Sequence, residues 1–187
     1  SKYVVVIGIT PKQGDIYQSA VLEKVQRLTN KLRETPGVVR ENLLSLSARK
    51  AKDILGTAEG MEVRPLRVEV RRSAEAMRRL RAAVQRNSAY HNSIVAKDGR
   101  TTAVLAEFRD AGGGGFREIM ANIEPLLAAE RDATVDIAVG GLPDFLAQIE
   151  IFSDRIVWLF PLAVLIVGLI HFEAFRTWQG LILPLVT

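Results

Sequence analysis

The sequence contains no cysteine. This absence excludes disulfides, thiolate metal sites and catalysis by a thiol. It does not identify a compartment, because many proteins outside the cytoplasm also lack disulfides. The only histidines, His91 and His171, have no Cys, His or Asp partner at ligand spacing. The sequence therefore predicts no metal site.

Motifs of catalysis and of nucleotide binding are also missing. No G-x-S-x-G motif marks a nucleophilic serine. Gly112 to Gly115 precede a predicted helix, where backbone amides can bind phosphate. They lack the Lys-Ser/Thr of a P-loop, and we interpret them as a flexible hinge. We predict a protein that is not an enzyme, with no catalytic residue and no cofactor.

Charge is missing from the C-terminal part of the chain. The sequence has 25 Lys and Arg and 21 Asp and Glu, yet beyond residue 155 only Glu173 and Arg176 are charged. The seventeen residues from Ile156 to Phe172 include none of these four types. A charged domain of ordinary size is therefore followed by an apolar tail. Both ends of the chain look cut, and we expect it to be part of a longer polypeptide.

The first half of the charged region is predicted to form a βαβ unit. Tyr3 to Ile9 is an unbroken apolar run, which predicts a strand buried on both faces. Asp15 and Gln18 resemble the capping box of a helix. A second strand is predicted over Val38 to Leu46. The stripe of the intervening helix consists of Val21, Val25, Leu28 and Leu32.

The second half is predicted to add a helix, a hairpin and a further helix-strand pair. Residues 48–70 suggest a short helix and an extended piece, and Ser73 caps a helix to about Asn87. Asp98–Gly99 is a turn signal between strands over 89–97 and 100–108. A helix with Phe116, Ile119, Ile123 and Leu127 inward follows, kinked or shortened by Pro125. Residues 134–141 predict the last strand, with Asp136 exposed.

This order of elements predicts an α+β fold of ferredoxin-like, split βαβ type over residues 1–141. The fold hosts many functions and does not identify one.

The tail predicts a long transmembrane helix preceded by an amphipathic stalk. Over 142–155, Phe145, Ile149 and Phe152 recur on one helical face. The apolar run places the span at 156–173, roughly 25 Å at 1.5 Å per residue. Pro161 could act as a bend point within the span. The alternative, a buried core helix of a soluble protein, is less favoured because a second apolar run follows.

The stalk and the span share one helical pattern, which would couple the domain rigidly to the membrane. A short loop over 174–180 and the start of a further transmembrane helix over 181–187 complete the predicted organisation. Charge does not decide the orientation, because Arg155 and Arg176 flank the span on both sides.

Residues 64–86 hold eight Arg against two Glu. The surface lacks aromatic residues for base stacking, so we predict no nucleic-acid partner. An ordinary solvated surface is favoured, and contact with anionic headgroups or a protein partner stays open.

Several segments resemble the resistance-nodulation-division (RND) superfamily of exporters, in its MMPL-like, hydrophobe/amphiphile branch. They are "PGV" after the first helix, the "DG" hairpin, "GLP" before the long helix, and "D…PLA…FR…G…LPL" across the apolar hairpin. The resemblance covers nearly the whole chain.

The resemblance implies a multi-pass transporter of the bacterial inner membrane, driven by proton motive force, that exports lipids, hopanoid or sterol-like compounds, or drugs. Residues 1–155 would lie on the periplasmic side as a porter-type domain, and the spans would be transmembrane helix two and the start of helix three. Partners would be membrane lipids, the substrate, the other transmembrane helices and the second porter domain. Assembly as a homo-oligomer stays open.

Six residues are candidates for the substrate path or for coupling to the membrane: Phe145, Ile149, Phe152, Asp154, Arg155 and Pro161. Asp154 and Arg155 match charged positions of the family where helix two begins, without an assigned role. The residues of the proton relay would lie outside this chain. The alternative function is an extracytoplasmic ligand-binding sensor that signals through a membrane helix. It is disfavoured because a sensor normally places a signalling module after its span.

Overall fold

The structure is a computed structural model that describes residues 3–49, 51–57, 60–66, 73–109 and 115–175. Its chain divides into two units, Ser1–Ala147 and Gln148–Thr187. In chain order the elements are β1 (Val4–Pro11), α1 (Ser19–Glu34), a 3-10 helix (Arg40–Asn42), β2 (Lys52–Thr57), β3 (Gly60–Pro65), α2 (Ala74–Arg86), β4 (Thr102–Glu107), α3 (Gly115–Ala128), β5 (Val135–Gly141) and α4 (Leu142–Phe175).

The first unit is an α+β domain built on a small antiparallel sheet. Its three strands have the order β4-β1-β5, with Ile7 of β1 opposite Val104 of β4 and Val139 of β5. Strands β2 and β3 form a separate two-stranded hairpin. The α+β class is confirmed, with a long apolar helix as the last element.

Side chains of β1 alternate between buried and partly exposed positions. Val5, Ile7 and Ile9 are fully buried, whereas Val4 and Val6 are half-buried. The prediction of a strand buried on both faces was therefore wrong. The strand is continuously apolar because it is the central strand of the sheet, and α1 packs against it.

The core of the domain is one cluster in which α1 supplies the expected stripe. Val25, Leu28 and Leu32 are fully buried there, together with Ile123 and Leu127 of α3. The start of α1 differs from the predicted capping box. Gln18 makes no side-chain cap, and the Asp15 carboxylate accepts from the Tyr17 amide at 3.0 Å instead.

The predicted strand over Val38 to Leu46 was wrong. Residues 40–42 form a 3-10 turn, and only isolated bridges join Val38 to Phe108 and Leu44 to Leu105. The polar Arg-Glu-Asn sequence cannot alternate toward the core, so the segment touches the edge of β4 at its two apolar ends and turns outward between them.

The predicted first strand of the hairpin, over 89–97, was also wrong. Asn92 has a φ of 63°, and turns replace the strand. Tyr90 is buried, and its hydroxyl donates to the Lys52 carbonyl at 3.0 Å while accepting from the Lys52 amide at 2.7 Å. These bonds fix the segment as a compact turn. The Asp98–Gly99 turn and the strand that follows it are present.

Other local predictions have mixed outcomes. Ser73 caps α2 by accepting from the Ala76 amide at 3.2 Å, as predicted. Helix α3 continues past Pro125 to Ala128, so the proline does not end it. Where we expected a short helix and an extended piece, Lys52–Thr57 and Gly60–Pro65 are two paired antiparallel strands. Of the four glycines that we interpreted as a hinge, Gly112 to Gly114 lie outside the described residues, and Gly115 begins α3.

Candidate functional site: the apolar helix α4

Helix α4 contains all six candidate residues. It has 34 residues, which at 1.5 Å per residue make roughly 51 Å. The helix continues to Phe175, so the first two residues of the loop predicted over 174–180 are helical, and residues 176–187 lie outside the described part. The boundary between the two units, after Ala147, falls within the predicted stalk.

The apolar side chains of α4 are exposed to an unusual degree. Among described residues, every large apolar side chain classed as exposed lies on α4 except Val63. Trp158 is 80% exposed and Phe160 is 72% exposed. Isolated exposed apolar residues are common in soluble proteins, but a contiguous apolar surface marks contact with a membrane or a partner.

Of the described helices, α4 is the one long and apolar enough to cross a membrane, over Leu142–Ala174. Only 6% of the most apolar 18-residue stretch of this helix is buried. A core helix of a soluble protein would be mostly buried, so the described structure does not support that alternative. The helix therefore indicates association with a membrane.

Polar groups within α4 are few. The His171 ring nitrogen Nδ1 lies 2.9 Å from the Val167 carbonyl oxygen one turn earlier. Such a bond within the helix lowers the cost of placing an imidazole near lipid. Pro161 lies inside the helix and has no N–H, which leaves the carbonyl of Val157 without its usual helical partner.

The candidate residues fall into two groups. Phe145, Ile149 and Phe152 are 61%, 43% and 57% exposed and follow one helical face. Asp154, Arg155 and Pro161 are also exposed and lie where the apolar run begins. The structure thus places all six on one element, and Phe145 belongs to the first unit while the others belong to the second.

A cluster of charged side chains, which the sequence analysis did not single out, joins α1 to the segment after α3. Glu130 is 3% exposed and accepts from Arg27 through both of its oxygens, with Nη2 at 2.8 Å from Oε2. Lys31 Nζ lies 3.6 Å from the same carboxylate. The bond from Arg27 lowers the pKa of Glu130, and the pKa of Arg27 is raised in turn.

Lys24 extends this cluster. Its buried ammonium donates to the Glu130 carbonyl at 3.0 Å and to the Asp132 carboxylate at 2.7 Å. The bond from Lys24, aided by two from Thr134, lowers the pKa of Asp132 well below its usual range. Each charged side chain of this cluster has a partner of opposite sign, and the pairs join α1 to the segment after α3.

A smaller contact attaches α2 to the loop before α1. The Arg81 guanidinium pairs with Asp15 and lies 4.7 Å from the centre of the Tyr17 ring. Burial is the largest effect on the phenol and raises the pKa of Tyr17. Of the predicted Arg-rich surface, Arg79 pairs with Glu75 on α2, and residues 67–72 lie outside the described residues.

Among the described residues, no group of three or more His, Asp or Glu side chains is placed to hold a metal ion. Comparison with known proteins yields no match, either to a family model or to a curated protein. Fold and helix define a class: an α+β domain followed by a helix suited to a membrane. The particular family rests on the resemblance in the sequence and stays a prediction.

Proposed function

We propose that this chain is part of a proton-motive-force-driven exporter of hydrophobic or amphiphilic molecules, of the RND superfamily and its MMPL-like branch. The observation that carries the proposal is α4, whose exposed apolar surface follows directly on a folded α+β domain. Residues 1–155 would be periplasmic, in a multi-pass protein of the bacterial inner membrane. Substrates would be lipids, hopanoid or sterol-like compounds, or drugs.

The finer fold assignment, a ferredoxin-like porter domain, belongs to the same proposal. A split βαβ unit has one strand inserted between the two strands that flank its helix. Here β4 pairs with β1, and the segment after α1 contacts the far edge of β4 through Leu44. This order supports the split arrangement, with an irregular segment in place of the outer strand.

In the proposed mechanism, α4 couples the domain to the membrane bundle. Alternating access needs a mechanical link between the site that admits substrate and the helices that move protons. A helix transmits tilt and rotation, which a flexible Gly/Ser linker does not. The apolar face with Phe145, Ile149 and Phe152 would border the substrate path.

The test is an insertion of Gly-Gly-Ser after Phe152 in the polypeptide that contains this chain. We expect loss of proton-dependent efflux of a fluorescent amphiphile from cells, with expression unchanged. An insertion of Ala-Ala-Ala at the same point is the control of equal length, because alanine preserves helix. It should retain more transport than the glycine insertion.

The outcomes separate the parts of the proposal. Normal efflux in the Gly-Gly-Ser variant would contradict a rigid link. Efflux by the unaltered polypeptide that persists after a protonophore collapses the proton gradient would contradict proton coupling. Absence of any efflux, with a ligand-dependent cellular response instead, would favour the sensor.

A further inference from the structure

A concave site lies in the first unit. It is a cavity of about 520 Å³ between the C-terminal half of α1, the 3-10 helix and residues 43–49. Its volume falls in the range of small-molecule sites, roughly 300–1,000 Å³. The buried side chains of Leu43 and Ala48 contribute an apolar part of its wall.

Three arginines line this cavity: Arg33, Arg40 and Arg49. They come from three different elements of the chain, so no single helix face explains why they converge. Arg33 is half-buried, and the other two are exposed. In the described part of the chain, no carboxylate lies within ion-pair distance of any of the three. Within the described residues the three arginines thus form no ion pair, although Glu34 and Glu41 also line the cavity.

Helix capping does not account for these arginines. At the end of α1, Thr35 bonds to the carbonyls of Lys31 and Leu32, through Oγ1 at 3.0 Å and its amide at 3.1 Å. Arg40 Nε donates to the Arg33 carbonyl at 3.0 Å. The carbonyls of Lys31, Leu32 and Arg33 are thereby bonded with the use of a single guanidine N–H. Among the residues that the structure describes, both Nη groups of Arg40 and the guanidinium groups of Arg33 and Arg49 have no acceptor and can donate to a ligand.

The wall also carries neutral donors and two carboxylates. Asn30 and Ser47 face the same cavity, as do Glu34 and Glu41. Guanidinium forks suit the several acceptor oxygens of a phosphate. Carboxylates only accept hydrogen bonds, so they favour a ligand with hydroxyl or ammonium groups beside its phosphate and disfavour a polyanion.

We propose that this cavity binds a small phosphate ester of a polyol or an amino alcohol, through Arg33, Arg40 and Arg49. The shared chemistry is a phosphate next to hydrogen-bond donors, which occurs both in soluble metabolites and in lipid headgroups. The site is independent of the proposed export function, because it uses only residues of the first unit.

The test is isothermal titration of the purified chain in neutral detergent and phosphate-free buffer of low ionic strength, with glycerol 3-phosphate as the probe. Arg33→Gln and Arg49→Gln should each weaken binding at least about fivefold, because each removes a charge-assisted bond without touching the cap of α1. Arg78→Gln is the matched control. It removes an exposed arginine of α2 outside the cavity and should change the affinity less than twofold.

A second titrant identifies the source of the ligand. Dihexanoyl phosphatidylglycerol, used below its micellar concentration, presents the same phosphate as a headgroup. Binding of either probe that depends on Arg33 and Arg49 supports the site. The probe with the higher affinity indicates whether the ligand is a soluble metabolite or a lipid headgroup. Glu34→Gln should leave binding equal or stronger, because the glutamine oxygen still accepts a hydrogen bond from the ligand and no longer repels its phosphate. Absence of binding by both probes, or an equal loss in Arg78→Gln, would overturn the proposal.

Discussion

Glu130 is a nearly buried carboxylate that depends on two cations of α1. Replacing it with glutamine keeps its size and its backbone bond from Lys24 but removes the charge pairs with Arg27 and Lys31. We expect Glu130→Gln to lower the free energy of unfolding by about 1–2 kcal/mol, since both cations are partly exposed and screened by water. Hydrogen exchange of β1 amides in the detergent-solubilised chain measures this difference.

The same variant tests the ionisation of Glu130. Its pKa is lower in the folded than in the unfolded chain, so its contribution to stability is complete above the unfolded pKa of about 4.3. The contribution declines as the pH falls through the lower folded pKa. The difference in stability between the wild type and Glu130→Gln should therefore shrink in acid. A difference that stays constant from neutral pH down to pH 3 would contradict an ionised, paired Glu130.

The cluster around Glu130 also shows what the sequence does not reveal at the scale of residues. Arg27 and Glu130 are 103 positions apart, and their pairing depends on how α3 lies beside α1. The convergence of Arg33, Arg40 and Arg49 was missed for a similar reason. We predicted Arg40 within a strand, where its side chain would not reach the end of α1. In the structure its Nε donates to the Arg33 carbonyl.

At the scale of elements, β5 meets α4 at a glycine that allows no side chain. Gly141 has a φ of 112°, and a Cβ there would lie 2.2 Å from the Val4 carbonyl oxygen of β1. Its neighbour Gly140 has nothing within 4 Å of the corresponding position. The backbone of β5 therefore approaches β1 closely at one of the two glycines only.

We expect Gly141→Ala to destabilise the domain by about 2 kcal/mol or more, from backbone strain and displacement of β1. Gly140→Ala, the matched control, should be neutral or slightly stabilising, because it restricts the unfolded chain without a clash. Hydrogen exchange of the Ile7 amide measures the stability of both variants. Similar stabilities for the two variants would show that β5 does not approach β1 in this way.

Helices whose apolar residues recur at a regular spacing could be predicted from the sequence. Segments whose conformation depends on residues far away in the sequence could not. The stripes of α1 and α2 and the continuous apolar run of α4 each carry their own signal. The segments 38–46 and 89–97 have the composition of strands, but a 3-10 turn and the buried Tyr90 hydroxyl hold them in other conformations. Tertiary contacts outweigh strand propensity there.

At the scale of the whole molecule, the chain combines a water-exposed domain with a helix that water should not surround. The buried cluster of the domain is built from residues between Val5 and Val135, whereas the large apolar residues of α4 are exposed. About 25 cal/mol for each Å² of apolar surface opposes leaving such a helix in water. A bilayer removes this cost, since every backbone bond of a helix is internal.

Because the sequence has no cysteine, the reactivity of a single introduced cysteine can show whether α4 lies in the membrane. In membranes that contain the chain, a cysteine at Val164 should resist a membrane-impermeant maleimide, because it lies in the apolar run. A cysteine at the exposed Arg100 in the domain is the matched control and should react once its side of the membrane is accessible. Detergent should then expose Val164→Cys to the reagent. Equal labelling at both positions without detergent would place α4 in water, and the proposed exporter would lose the observation that carries it.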